Sequence, residues 1–172
     1  MNLFKLLGIE KKTQRDSPQL GLLFEGIERL LAGRPEDEVK RITAYAGLLG
    51  KVAYADLEVS AAEEARVREL LADELGLSAV DAEAVGGLLR AQRARLFLVE
   101  DYVYARLVNE LCDREAKLAL LRCLFAVAAA DGAVTGEEDA TIGNVARDLR
   151  LSQGDFIEAR STVRQSLAWM GK

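Results

Sequence analysis

The stretch at residues 118–130 constrains the fold more than any other part of the chain. It reads LALLRCLFAVAAA, in which Arg122 is the only charged residue. A helix that is apolar on nearly every side has to be enclosed by other elements rather than laid on a surface. The sequence therefore predicts a central core helix here. It is expected to end at Asp131-Gly132, because glycine tolerates the backbone angles that terminate a helix.

The same pattern occurs earlier in the chain. When the chain is aligned with itself so that Asp56 matches Asp131, a set of small, apolar and acidic residues also matches. These are Ala44, Val52, Ala53, Val59 and Glu63 on Ala119, Val127, Ala128, Val134 and Glu138. Two copies are too few for a solenoid. We interpret them as an internal duplication, with copies at about residues 35–89 and 114–169, packed as one body.

Helix-start signals divide the rest of the chain. A hydroxyl residue followed three positions later by an acidic one marks starts at Ser60, Ser78 and Thr135, and Ser17-Pro18 marks another. No stretch shows the alternation of a strand. We predict an all-α fold, a single compact helical domain of about seven to nine helices. Residues 1–16 form an N-terminal segment and linker, and 17–172 the domain. One or two helices are expected between residues 90 and 113, with a break that the pattern does not locate.

Composition excludes several functions. A net charge of −5 argues against nucleic acid as a partner, since binding to phosphates needs a basic surface. The absence of histidine removes the usual general base and histidine-ligated metals, and no nucleophile motif is present, so we expect no enzyme. No apolar run approaches the roughly 20 residues of a membrane span. Two cysteines without a CxxC spacing and no signal peptide favour the cytoplasm.

The acidic turns that end the two repeated helices are the candidate sites. Four carboxylates, Asp56, Glu63, Asp131 and Glu138, could converge through the duplication and hold calcium, magnesium or manganese. The turn resembles half of an EF-hand loop, but apolar residues stand where that loop needs further ligands. Glu63 and Glu138 also occupy the third helical position after a hydroxyl cap, where a carboxylate is satisfied by backbone amides. Capping alone and cation binding both remain open.

These residues carry a family resemblance. ADGAVTGEE at residues 130–138, after an alanine-rich helix and before Leu149-Arg150-Leu151-Ser152, resembles the tellurite-resistance TerB family and the TerB-like domain of DjlA-type co-chaperones. The resemblance covers approximately residues 34–166. It implies an all-helical, duplicated cytoplasmic module, linked to tellurite or general stress responses and able to bind a cation, rather than an enzyme. In the first copy Leu57 replaces the glycine of the turn.

The leading hypothesis is therefore a non-catalytic TerB-like interaction module. It would join a protein partner in a membrane-associated stress-response complex, with the chain itself peripheral at the inner face of the membrane. The first alternative is a scaffold whose acidic turns are purely structural and whose partner surface lies elsewhere, such as the basic segment Arg90, Arg93 and Arg95. A weaker alternative is a carboxylate-dependent hydrolase. No oligomeric state is predicted.

Overall fold

Helices account for all the regular structure in the computed structural model, which describes residues 18–55 and 60–170. The eight helices of this described part are α1 (Pro18–Leu30), α2 (Glu36–Ala53), α3 (Ala61–Leu75), α4 (Ala79–Leu96), α5 (Asp101–Leu111), α6 (Arg114–Ala128), α7 (Gly136–Asp148) and α8 (Gln153–Met170). The predicted all-α fold is confirmed. The segment at residues 1–16 lies outside the described residues. None of the described helices combines the length and apolar character that a bilayer crossing requires.

The helix starts follow the capping signals of the sequence. The hydroxyls of Ser60, Ser78 and Thr135 each accept a hydrogen bond from the backbone N–H three residues later. Each hydroxyl thus satisfies one of the N–H groups that the first turn of a helix leaves unpaired. At the other end of α3, Gly76 takes the left-handed conformation with φ 63°, which ends the helix.

The most enclosed helix is α2, the first copy of the repeat. Every residue from 43 to 53 is buried, including Lys51. Helix α2 packs against α1, α3, α4, α5, α6 and α7, whereas α6 packs against α2, α3, α7 and α8. Gly47 explains part of this, because the ring of Tyr104 lies where a Cβ atom at position 47 would be. The absence of a side chain at position 47 therefore lets the Tyr104 ring of α5 pack closely on α2.

The two copies of the repeat contact each other reciprocally. Helix α2 of the first copy packs on α7 of the second, and α6 of the second packs on α3 of the first. The two long helices also pack on each other, so the pattern is the same when the copies are interchanged. This reciprocity is what an intramolecular two-fold relation produces. It brings Glu63 and Glu138, which hold equivalent positions in the two copies, toward one another.

A buried ammonium group fixes the corner between α4 and α5. Lys51 Nζ donates a hydrogen bond of 2.6 Å to the carbonyl oxygen of Val99 and forms an ion pair with Asp101. A buried charge needs such partners, because its removal from water is costly. The corner at residues 97–100 is thereby tied to the central helix.

Candidate functional site

Glu63 and Glu138 are the two candidate residues that the fold brings together. Each is only 2% exposed, although glutamate is rarely buried this deeply. Their carboxyl groups lie close enough for Glu63 to raise the pKa of Glu138. Each stands in the first turn of its helix, α3 or α7, so two helix N-termini with their positive dipole ends face one shared acidic pair.

One oxygen of each carboxyl group is used locally. Glu63 Oε2 accepts a hydrogen bond of 2.8 Å from the N–H of Ser60, and Glu138 Oε2 accepts one of 2.7 Å from Thr135. The hydroxyl of each cap residue in turn accepts from the glutamate N–H, which completes two capping boxes. The capping role expected for both residues is therefore present. It leaves the second oxygen of each carboxyl group outside the cap.

The environment of the pair opposes two negative charges. Burial raises the pKa of Glu138 to about 7, the hydrogen bonds from Thr135 lower it in part, and the adjacent Glu63 carboxyl raises it again. Desolvation and a like charge both disfavour the ionised form of a carboxyl group. The pair consequently favours one bound positive species between its oxygens, either a proton or a metal cation.

Of the other two predicted residues, the structure describes only Asp131, which does not join this pair. Asp131 is exposed, and its Oδ1 accepts a hydrogen bond of 3.1 Å from the N–H of Ala133. It thus has a local role in shaping the turn, where Gly132 adopts φ 102°. Asp56 lies outside the described residues. Among the residues that are described, no three acidic or cysteine side chains group closely enough to hold a metal ion.

The donor chemistry of the pair nevertheless suits a hard cation. Calcium, magnesium and manganese prefer carboxylate oxygens, and magnesium in particular is often held by one or two carboxylates with water filling the other positions. Glu63 and Glu138 would be the protein ligands of such an ion.

Beside the second acidic turn lies a cavity that sequence reasoning missed. It has a volume of about 230 Å³ and is lined by Phe125, Ala129, Gly132, Val134, Arg160, Val163 and Arg164. Arg160 reaches Asp139 of α7 at 3.4 Å. The spacing of the two arginines, four residues apart on α8, places them on one helix face and was the available signal.

Comparison with known proteins gives the chain a family. The family model described as tellurite resistance protein TerB matches residues 42–161, which include both acidic turns and most of the duplicated helices. The chain belongs to the TerB family. No curated protein and no solved structure matched significantly. Both buried glutamates of this TerB-family chain lie inside the matched region, together with all of α3, α6 and α7 and with α2 from Ile42 onward.

Proposed function

We propose that this chain is a non-catalytic TerB-family interaction module that takes up a hard divalent cation between Glu63 and Glu138. In this role it helps a protein partner assemble into a complex that responds to tellurite or to stress in general. The observation that carries the proposal is the convergence of two buried glutamates from two copies of one turn. A structural glutamate cap is satisfied by its own helix and needs no second carboxyl group beside it.

Electrostatics favours a cation at this pair. With one proton bound the pair carries a single negative charge, and near the pKa of Glu138 that proton is readily released. A divalent cation would neutralise both carboxylates. The low local dielectric that strengthens the repulsion between the carboxylates also strengthens their attraction to the cation. Water would complete its oxygen coordination. Cation binding would then link the starts of α3 and α7, and with them the two halves of the fold.

The non-catalytic part of the proposal is supported by the composition of the chain. There is no histidine in the sequence, and no serine or cysteine stands in a nucleophile motif. The link to stress is supported by the family, whose model is described as a tellurite resistance protein. The competing function is a metal-free scaffold, which the two complete capping boxes favour because they satisfy one oxygen of each glutamate without a ligand.

Calorimetry separates these two functions. The full chain is titrated with calcium, magnesium, manganese and zinc at pH 8, beside the variants Glu63→Gln plus Glu138→Gln and Asp131→Asn plus Glu138→Gln. The matched control is Glu137→Gln, which removes an exposed carboxylate one position from the pair. We expect saturable binding that both double variants abolish and the control retains. Binding that persists in both double variants would refute Glu63 and Glu138 as the ligands, and no binding at all would leave the metal-free scaffold as the function.

The role in stress is tested in cells. The host gene is deleted, and growth on tellurite is compared after complementation with the wild type, the Glu63→Gln plus Glu138→Gln variant and the Glu137→Gln control. We expect the double variant alone to fail. Equal growth of the deletion strain and its parent on tellurite would refute a tellurite role without bearing on cation binding in vitro.

A further inference from the structure

The corner between α4 and α5 exposes apolar side chains on an otherwise acidic protein. Phe97, Leu98 and Tyr102 are 45%, 61% and 52% exposed. Their neighbours Leu96 and Val99 are buried at 2% and 1%, so the corner is anchored on both sides of the exposed pair. Clustered exposed apolar side chains of this kind mark an interaction surface more often than scattered single ones do.

Two arginines flank this apolar tip. Arg93 lies one helical turn before Phe97, and Arg95 lies in the last turn of α4. Both are exposed, and neither forms an ion pair within residues 18–55 and 60–170, in contrast to Arg90, which pairs with Glu64 at 2.8 Å. We call Arg93, Arg95, Phe97, Leu98 and Tyr102 the corner patch. With the exposed Glu100 counted, the patch still carries a positive charge on a chain of net charge −5.

We propose that the corner patch docks the protein on an anionic membrane surface. Phe97 and Leu98 are exposed at the turn between α4 and α5, which suits their insertion among lipid headgroups. Tyrosine is favoured at the interface between lipid and water, and arginine keeps its charged end at the phosphates while its stem covers apolar surface. The charge of the patch complements anionic lipid.

The rigidity and the charge of the corner patch both support an anionic membrane as its partner. The hydrogen bond from Lys51 to the Val99 carbonyl holds the corner in place, so little ordering is needed on docking. A second copy of the chain is a poorer fit, because a two-fold interface would set the same arginines against each other. A soluble acidic protein could also pair with the arginines. In that case the wild type would not bind anionic vesicles.

The test is flotation of the full chain with vesicles. Phosphatidylcholine vesicles with and without phosphatidylglycerol are compared for the wild type, Phe97→Ser plus Leu98→Ser, and Arg93→Gln plus Arg95→Gln. We expect binding to the anionic vesicles only. Loss of both apolar side chains should weaken it by about tenfold or more, and loss of each arginine by about fivefold. Melting curves confirm that the variants are folded.

Controls identify the surface. Val80→Ser removes a side chain that is 78% exposed at the opposite end of α4, and Arg106→Gln removes an arginine that is paired with Glu110. Both should bind as the wild type does, as should the Glu63→Gln plus Glu138→Gln variant, since docking does not depend on the acidic pair. The proposal is overturned if the wild type ignores anionic vesicles or if the corner variants bind unchanged. A patch that binds only a soluble acidic protein would give the first of these results, since the wild type would not float with anionic vesicles.

Discussion

Replacing Glu138 by glutamine should remove a pH dependence that burial builds into the wild type. The ordinary glutamate pKa of 4.5 applies to the unfolded chain, and the folded chain holds this pKa at about 7. Below pH 4.5 both states are protonated and the group has no effect on stability. Between pH 4.5 and 7 the unfolded state releases its proton first. Stability is therefore lost as the pH rises through this window, and the loss levels off above pH 7.

The size of the effect follows from the same values. One pKa unit corresponds to about 1.4 kcal/mol, so the wild type loses at most about 3 kcal/mol across the window in the absence of a cation. Glutamine keeps the cap, because its amide oxygen can still accept from the N–H of Thr135 and its amide nitrogen can donate to Glu63. We expect Glu138→Gln to match the wild type within about 0.5 kcal/mol at pH 4 and to exceed it by about 1–3 kcal/mol at pH 8.

The assay is urea denaturation followed by circular dichroism at several pH values, with chelator present. The difference between variant and wild type cancels groups common to both, such as Asp148, whose pKa burial also raises. Glu137→Gln serves as the control and should give a difference that does not change with pH. A Glu138→Gln difference that is constant, or that grows toward acid, would refute the reasoning. With magnesium or calcium in place of chelator, the wild type alone should regain stability.

Three further substitutions test the packing and the caps by denaturation. Gly47→Ala should cost about 1–3 kcal/mol, because the new Cβ atom would lie 2.3 Å from Cε1 of the fully buried Tyr104 ring. Arg150→Gly should stabilise the fold by about 0.5–1 kcal/mol, since Arg150 is held at φ 62°, where side chains are disfavoured; an unchanged midpoint would contradict this. Hydrogen bonds from Ser152 hold the pKa of Asp155 below its ordinary value, so this stability is present above pH 3.8 and lost in acid. Asp155→Asn should therefore destabilise the chain at pH 7, and its difference from the wild type should shrink as the pH falls below that ordinary value.

Helix starts could be predicted because their causes are local. Ser60, Ser78 and Thr135 sit three residues before their acidic partners, and Gly76 ends α3 in the left-handed conformation. At the equivalent position of the second copy, Arg150 adopts the same conformation without being glycine. The stop after α7 thus has no sequence signal of its own, and only the repeat indicates it.

The break between α4 and α5 could not be located because its cause is tertiary. Residues 97–100 read FLVE and contain neither glycine nor proline. The turn is held instead by Lys51, which lies far away in sequence on α2 and donates to the carbonyl oxygen of Val99. The same lysine places a charged residue inside the buried part of α2, which is the most enclosed of the described helices. A buried charge with its own partners reverses the usual inference from hydrophobicity.

The candidate site could likewise be predicted only in part. Repetition identified Glu63 and Glu138 individually, and the capping boxes explain why each stands where it does. Their contact depends on how the two copies pack, which neither turn specifies alone. Each glutamate caps its own helix with one carboxyl oxygen, and its carboxyl group also interacts with that of the other glutamate. A change at the pair therefore acts on two helix starts at once. Helix α3 packs on α6 and α7 on α2, so a proton or cation bound at the pair would influence both long helices of the core. A purely local cap would influence only its own helix, and comparing single with double glutamine variants distinguishes the two: coupled glutamates give non-additive changes in stability.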